Sequence, residues 1–265
     1  MSKSTKFASY LIGYLVLFFY PIYSYSQASH RWLDTAYLEE AFYEVALKNE
    51  YESEKQNVRK WREPIKIFIE HKVPDEDIHT ELAQMHIKHL SYLTNHPISL
   101  TNNLEEANII WVYTRLSIWE DDIVRVLGKS SLQHSGKAIC MANFKTDVGG
   151  ELIRGGIIIP VDQARSKGKL LGCVVEEITQ LLGLPNDSDK VYPSIFNDAS
   201  PEDLLSPLDG LLLKILYHPS LKVGMSREEA EPVVKQIIAD FKNDGTLESA
   251  ISEVRKGELY PLMGF

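Results

Sequence analysis

Residues able to do chemistry concentrate in one stretch, Glu176-Glu177-Ile178-Thr179-Gln180-Leu181-Leu182-Gly183-Leu184-Pro185-Asn186-Asp187. Glu176 and Gln180 stand four positions apart, so on a helix they share one face, one turn apart. A bend at Gly183 would swing Asn186 back toward the same point. Two helix residues and one from the following loop is the spacing of a metal site. Zinc, however, takes imidazole, thiolate and carboxylate, and the neutral amide oxygens of Gln180 and Asn186 are weak ligands for it. A harder cation is the alternative, because Glu176, Glu177, Asp187 and Asp189 bring four carboxylates close together and calcium accepts amide oxygens. Against this, Asn186-Asp187-Ser188-Asp189 lacks the glycine and terminal glutamate of an EF-hand loop, and such a run is more often a solvated helix end. Glu176 and Glu177 do not serve as a glycosidase pair: helix neighbours point about 100° apart and cannot flank one bond.

The remaining candidates are blander. Cys140 and Cys173 are the only cysteines, which excludes zinc fingers, multi-cysteine iron–sulfur sites and a disulfide-dense miniature scaffold. In an oxidising compartment they read as a disulfide closing a loop of about 33 residues, worth roughly 3–4 kcal/mol; two buried thiols are the alternative. His79, His86 and His89 share one predicted helix. The spacing of the last two suits a metal, but His89 falls in the apolar stripe and reads as a core histidine bonded to backbone. Gly128-Lys129-Ser130 is no phosphate loop, since position 123 is Ile123 rather than glycine. No G-x-S-x-G is present, and covalent catalysis has no support. Trp32, Trp61, Trp111 and Trp119 follow no period and read as packing residues.

The elements that must position these residues follow from periodicity. Leu38, Phe42, Val45 and Ala46 recur at helical spacing within Leu33 to Tyr51, an amphipathic N-terminal appendage that either packs on the domain or folds over the cleft as a lid. Ile65 to Glu70 reads as a strand, and Asp77 to Thr94 as a helix with Ile78, Leu82, Met85, His89 and Tyr92 on one side. The continuous apolar run Asn108 to Thr114 is the composition of a strand buried on both faces. Ala138 to Ala142 and Gly155 to Val161 are further short strands around a Gly149-Gly150 turn, with Pro160 marking the last as an edge or as ending there. Ser166 to Leu182 returns to helical spacing and stops at Gly183. A proline-rich stretch leads to a helix through Tyr217, and Ser226 with Glu229 forms a capping box before a helix through Phe241. This pattern gives an α+β or α/β domain with a mixed sheet.

Composition sets the outer bounds. The 265 residues are 44% apolar and 25% charged, ordinary for a globular chain with a sizeable core. The net charge of −9 comes without a long basic run, which argues against nucleic-acid binding. Lys3 and Lys6 precede the apolar stretch Phe7 to Tyr23 and the small-residue exit Ser26-Gln27-Ala28, the layout of a cleaved secretory signal. The run is short for a membrane span and carries Pro21, so no stable membrane insertion is expected after cleavage near Ala28. The expected location is the periplasm or the exterior.

The frame of the chemistry-bearing stretch, E-E-x-x-Q-x-x-G-x-x-N, has the arithmetic of the H-E-x-x-H-x-x-G-x-x-H motif of metzincin peptidases. On Cys173 to Gln180 and Leu184 to Asp187 the chain resembles a zincin, and it is similar to the bacterial domain of unknown function 2927 family. Further matching stretches are Tyr192 to Asp198, Leu205 to Asp209, Leu216 to Pro219 and Gly224 to Ser226, and the resemblance runs from about Arg59 to Met225. It implies an α+β, zincin-like mixed sheet with a backing helix, a site helix preceded by an edge strand, and N- and C-terminal helical extensions. It implies a turn under the site where Phe196 replaces the usual methionine, and it puts Glu177 at the position of the general base. All three histidines are missing. The expected organisation is a signal peptide (1–28), an N-terminal helical segment (29–58), the zincin-like domain (59–225) and a C-terminal helical extension (226–265). The expected role is a binding or scaffold module for an unknown protein or peptide, without a cofactor. The alternative is an atypical metal-dependent hydrolase in which Glu176, Gln180 and Asn186 hold zinc or calcium and Glu177 is the base.

Overall fold

The structure is a computed structural model that describes residues 30–48 and 57–265. The stretch read as a secretory signal lies outside them. The described chain is a mixed α/β fold around one five-stranded sheet. The helix α1 (Thr35–Ala46) comes first, followed by β1 (Ile65–His71), α2 (Glu76–Thr94), β2 (Ile98–Leu100) and β3 (Ile109–Thr114). Next come the short α3 (Trp119–Asp122), running into a π-helical turn Ile123–Leu127, then β4 (Met141–Thr146), β5 (Leu152–Pro160), α4 (Val161–Ser166) and α5 (Leu170–Gln180). The chain continues through α6 (Pro207–Leu216), α7 (Arg227–Asn243), α8 (Thr246–Val254) and α9 (Leu259–Leu262).

Strand order is β2-β1-β3-β5-β4. The first four strands in that order are parallel, while β4 runs antiparallel to β5 at the edge, with Met141 opposite Ile158. The run Ile109–Thr114 takes the central place that its two-sided apolar character predicts. Trp111 and Tyr113 face the main core, and Val112 meets Trp119, Ile123 and Leu127 on the opposite face. All four tryptophans are buried.

Several boundaries differ from the periodicity reading. The β4 strand begins at Met141 rather than Ala138, since Cys140 turns out of the sheet to reach Cys173. Pro160 ends β5 but does not make it an edge; β4 takes that place. The single helix expected over Ser166 to Leu182 is split at Gly168, whose φ is +67°, into α4 and α5. The buried residues of α2 are His79, Ala83, His86, Ile87, His89, Leu90, Leu93 and Thr94, so His89 is inside as its place in the apolar stripe predicts, whereas Ile78 and Tyr92 are about half exposed, at 52% and 49%. The phase is turned because His86 bonds across to α5. Nor does α1 stand apart: Leu38, Phe42, Val45 and Ala46 join the main core beside α6 and α7.

Candidate functional site

The site helix α5 owes its position to its own sequence. Cys173, Val174, Val175, Ile178 and Thr179 are buried, and Glu177 is turned inward with them at 5% exposure, while Glu176 and Gln180 stand at its margin. Cys173 is joined to Cys140 by a disulfide with a Cα–Cα separation of 5.9 Å, which ties α5 to the start of β4. At the far end the helix stops as the glycine predicts. Gly183 has φ +112°, and a Cβ there would lie 2.1 Å from the Arg59 carbonyl oxygen, so both conformation and space require glycine. The freed carbonyls of the last turn are taken up by neighbours: the Trp61 indole donates to Leu181 at 2.7 Å and the Tyr217 hydroxyl to Leu182 at 3.0 Å.

Beyond the bend the motif residues converge, but on one another and on main chain. The Gln180 side-chain amide donates to Asp187 Oδ1 at 3.0 Å. The buried Asn186 donates from its side chain to the carbonyls of Glu44 at 2.9 Å and Asp187 at 3.0 Å, and its backbone N–H donates to Val45 at 3.2 Å. The third motif position therefore grips the last turn of α1. Glu44 itself is 4% exposed and accepts from Lys48, Lys190 and Ser188. Burial pushes its carboxyl up, but the two ammonium groups outweigh that and hold it at about 2. Among the described residues no three His, Cys, Asp or Glu side chains are grouped to hold a metal ion.

Phe196 is fully buried, and its carbonyl accepts the Ser188 backbone N–H at 2.8 Å, which closes the loop after Asp187. The turn before it hangs on a buried carboxylate that sequence reading did not single out. Asp209 accepts from the Ser194 hydroxyl at 2.5 Å, from the backbone of Ile195 at 3.1 Å and from the backbone of Ser206 at 2.7 Å. Its last bond completes a capping box with Ser206 at the start of α6. The S-P-L-D spelling at 206–209 is the local signal that could have found it. Burial raises the Asp209 carboxyl to about 6 despite those donors.

A second polar centre, also missed, sits at the carboxyl ends of β1 and β3. Lys72 and Arg125 both bridge Glu70 and the buried Asp122, with contacts from 2.6 to 3.4 Å. Two cations and two anions close a neutral ring, an arrangement that holds the π-helical turn to β1. Of the three helix histidines, all are buried. His86 reaches the Val175 carbonyl and the Thr179 hydroxyl, both at 3.1 Å, as a core histidine does.

Comparison with curated proteins and with solved structures finds no match. A family model described as a protein of unknown function (DUF2927) matches residues 35–236, from the first residue of α1 into α7. That span takes in the sheet, the site helix, the Asn186 loop and the Asp209 turn, and the chain belongs to this family.

Proposed function

We propose that the chain is a binding or scaffold module of the cell envelope, carried on a zincin-like frame whose metal positions have been converted to internal hydrogen bonds. One observation carries the reading: Asn186, at the place of the third metal ligand, donates twice to main chain through its side chain and once through its backbone. Gln180 is likewise engaged with Asp187. An edge strand lying antiparallel beside β5 and clamped to α5 supports the zincin-like frame. Export to the periplasm or beyond is supported by the Cys140–Cys173 disulfide, and no described helix is long and apolar enough to cross a membrane.

The hydrolase reading draws on Glu177, an acid held at 5% exposure where a general base would stand. Elemental analysis of untagged residues 29–265 purified without chelator separates the two, run beside the Glu176→Ala/Gln180→Ala double variant. The binding module gives no stoichiometric zinc or calcium in either protein and no cleavage of a peptide library. One metal per chain, lost in the double variant, together with peptide cleavage abolished by Glu177→Gln, would establish the hydrolase instead.

A further inference from the structure

Past the family-matched residues the chain adds α8 and α9, and this segment returns to α2 on top of a buried histidine. His89 is 7% exposed. The backbone at Gly257 lies close against its ring, since a Cβ there would come 2.5 Å from Nδ1. The Tyr260 ring meets it edge-on with centroids 6.4 Å apart. On one side the ring meets the main-chain carbonyl of Glu253, while Nε2 is buried with no hydrogen-bond partner. Behind it, 6.3 Å away between ring centroids, stands His86 with its bonds to α5.

The charges around this pair are already engaged. From α8, the Glu253 carboxylate is held by Lys256 at 2.6 Å and by the Tyr92 hydroxyl of α2. Ahead of α9, Glu258 pairs with Lys88 of α2 at 3.3 Å, and the Tyr260 hydroxyl donates to the Leu205 carbonyl. From α5 the Thr179 hydroxyl is already bonded to His86. From α6, Asp209 is held by its own donors and Lys214 lies toward Glu253. The short β2, Ile-Ser-Leu, brings no titratable group. A second proton on His89 would thus place a cationic N–H in an apolar contact without an acceptor.

We infer that residues 246–265 form an acid-released strap, held on α2 and α6 while His89 is neutral and freed when it is protonated. Release uncovers an apolar seam, because Leu93 and Leu211 lie against Ala250 and Val254 of α8. Burial pushes His89 down to about 4 from the ordinary 6.5. The folded value is depressed for a base, so the docked strap is fully stable above about pH 6.5 and loses stability as pH falls toward 4. The linkage predicts a loss of docking of about twentyfold between pH 7 and pH 5.

Hydrogen exchange on the full chain, corrected for the intrinsic pH dependence, tests this. Amides of 246–262 should lose about twentyfold in protection from pH 7 to pH 5, exchanging through an opening in which those of β1, β3 and β5 remain more protected. In His89→Gln the strap should stay protected at pH 5. Gly257→Ala, which presses a methyl into the His89 ring, should open the strap at pH 7 with the sheet intact and leave little further change down to pH 5. It decides the matter if His89→Gln does not fold. Strap and sheet opening together at one pH midpoint would overturn the inference, as would a His89→Gln strap that opens at the same pH as the native one, or a Gly257→Ala strap that stays closed.

Discussion

Asp209 shows how one buried carboxylate can organise a site without taking part in chemistry. It joins the turn that carries Phe196 to the first turn of α6, and three donors converge on it. Those donors are outweighed by desolvation, so its folded value of about 6 lies above the ordinary 3.8. A carboxyl raised on folding adds stability that is fully present below about pH 4 and is lost as pH climbs through 6. Asp209→Asn, uncharged at every pH, should therefore flatten the fall in stability between pH 4 and pH 6, read as the urea midpoint at each pH. Asp209→Ala strands three donors and should cost about 3 kcal/mol. Glu44 behaves oppositely: less deeply set than Asp209 and with two lysines beside it, it remains ionised to about pH 2.

Among the elements, α5 is the one that everything else serves. It is pinned at its start by the disulfide, at its end by Gly183 against Arg59, and along its length by His86. Replacing both Cys140 and Cys173 by serine should lower stability by about 3–4 kcal/mol, measured by denaturant unfolding, through the freedom returned to the unfolded loop. Helix and bend were legible in the residues themselves, because apolar spacing and a terminal glycine are local signals. So was β3, whose apolar run is uninterrupted. The three-residue β2 carries too little pattern to be read, and the start of β4 is set by where Cys140 must go rather than by composition. The task of Asn186 was not legible either. Its partners at Glu44 and Val45 lie about 140 positions earlier in the chain, and no local spacing encodes a contact of that range. The same distance hid the way α1 is built into the core.

At the scale of the whole molecule, acid acts on two opposed sets of buried groups. Burial lowers His86 to about 3, so the stability tied to its neutral ring is present above pH 6.5 and is lost as pH falls. Asp209 works the other way between pH 4 and 6, and the net profile is their difference. His86→Gln should remove roughly 2–3 kcal/mol of the loss between pH 7 and pH 4.5, seen as a lower acid-unfolding midpoint in a circular-dichroism titration of sheet and helix together. The integration of α1 has a consequence for timing. This helix is the first described α-helix to leave the ribosome, yet its packing partners include the Asn186 loop, α6 and α7. Nearly the whole chain must be made before the helix can find its place, so it emerges without partners and docks late. An element ordered in this way keeps its apolar face uncovered until most of the chain has been made, so α1 is the segment longest exposed to other contacts during synthesis.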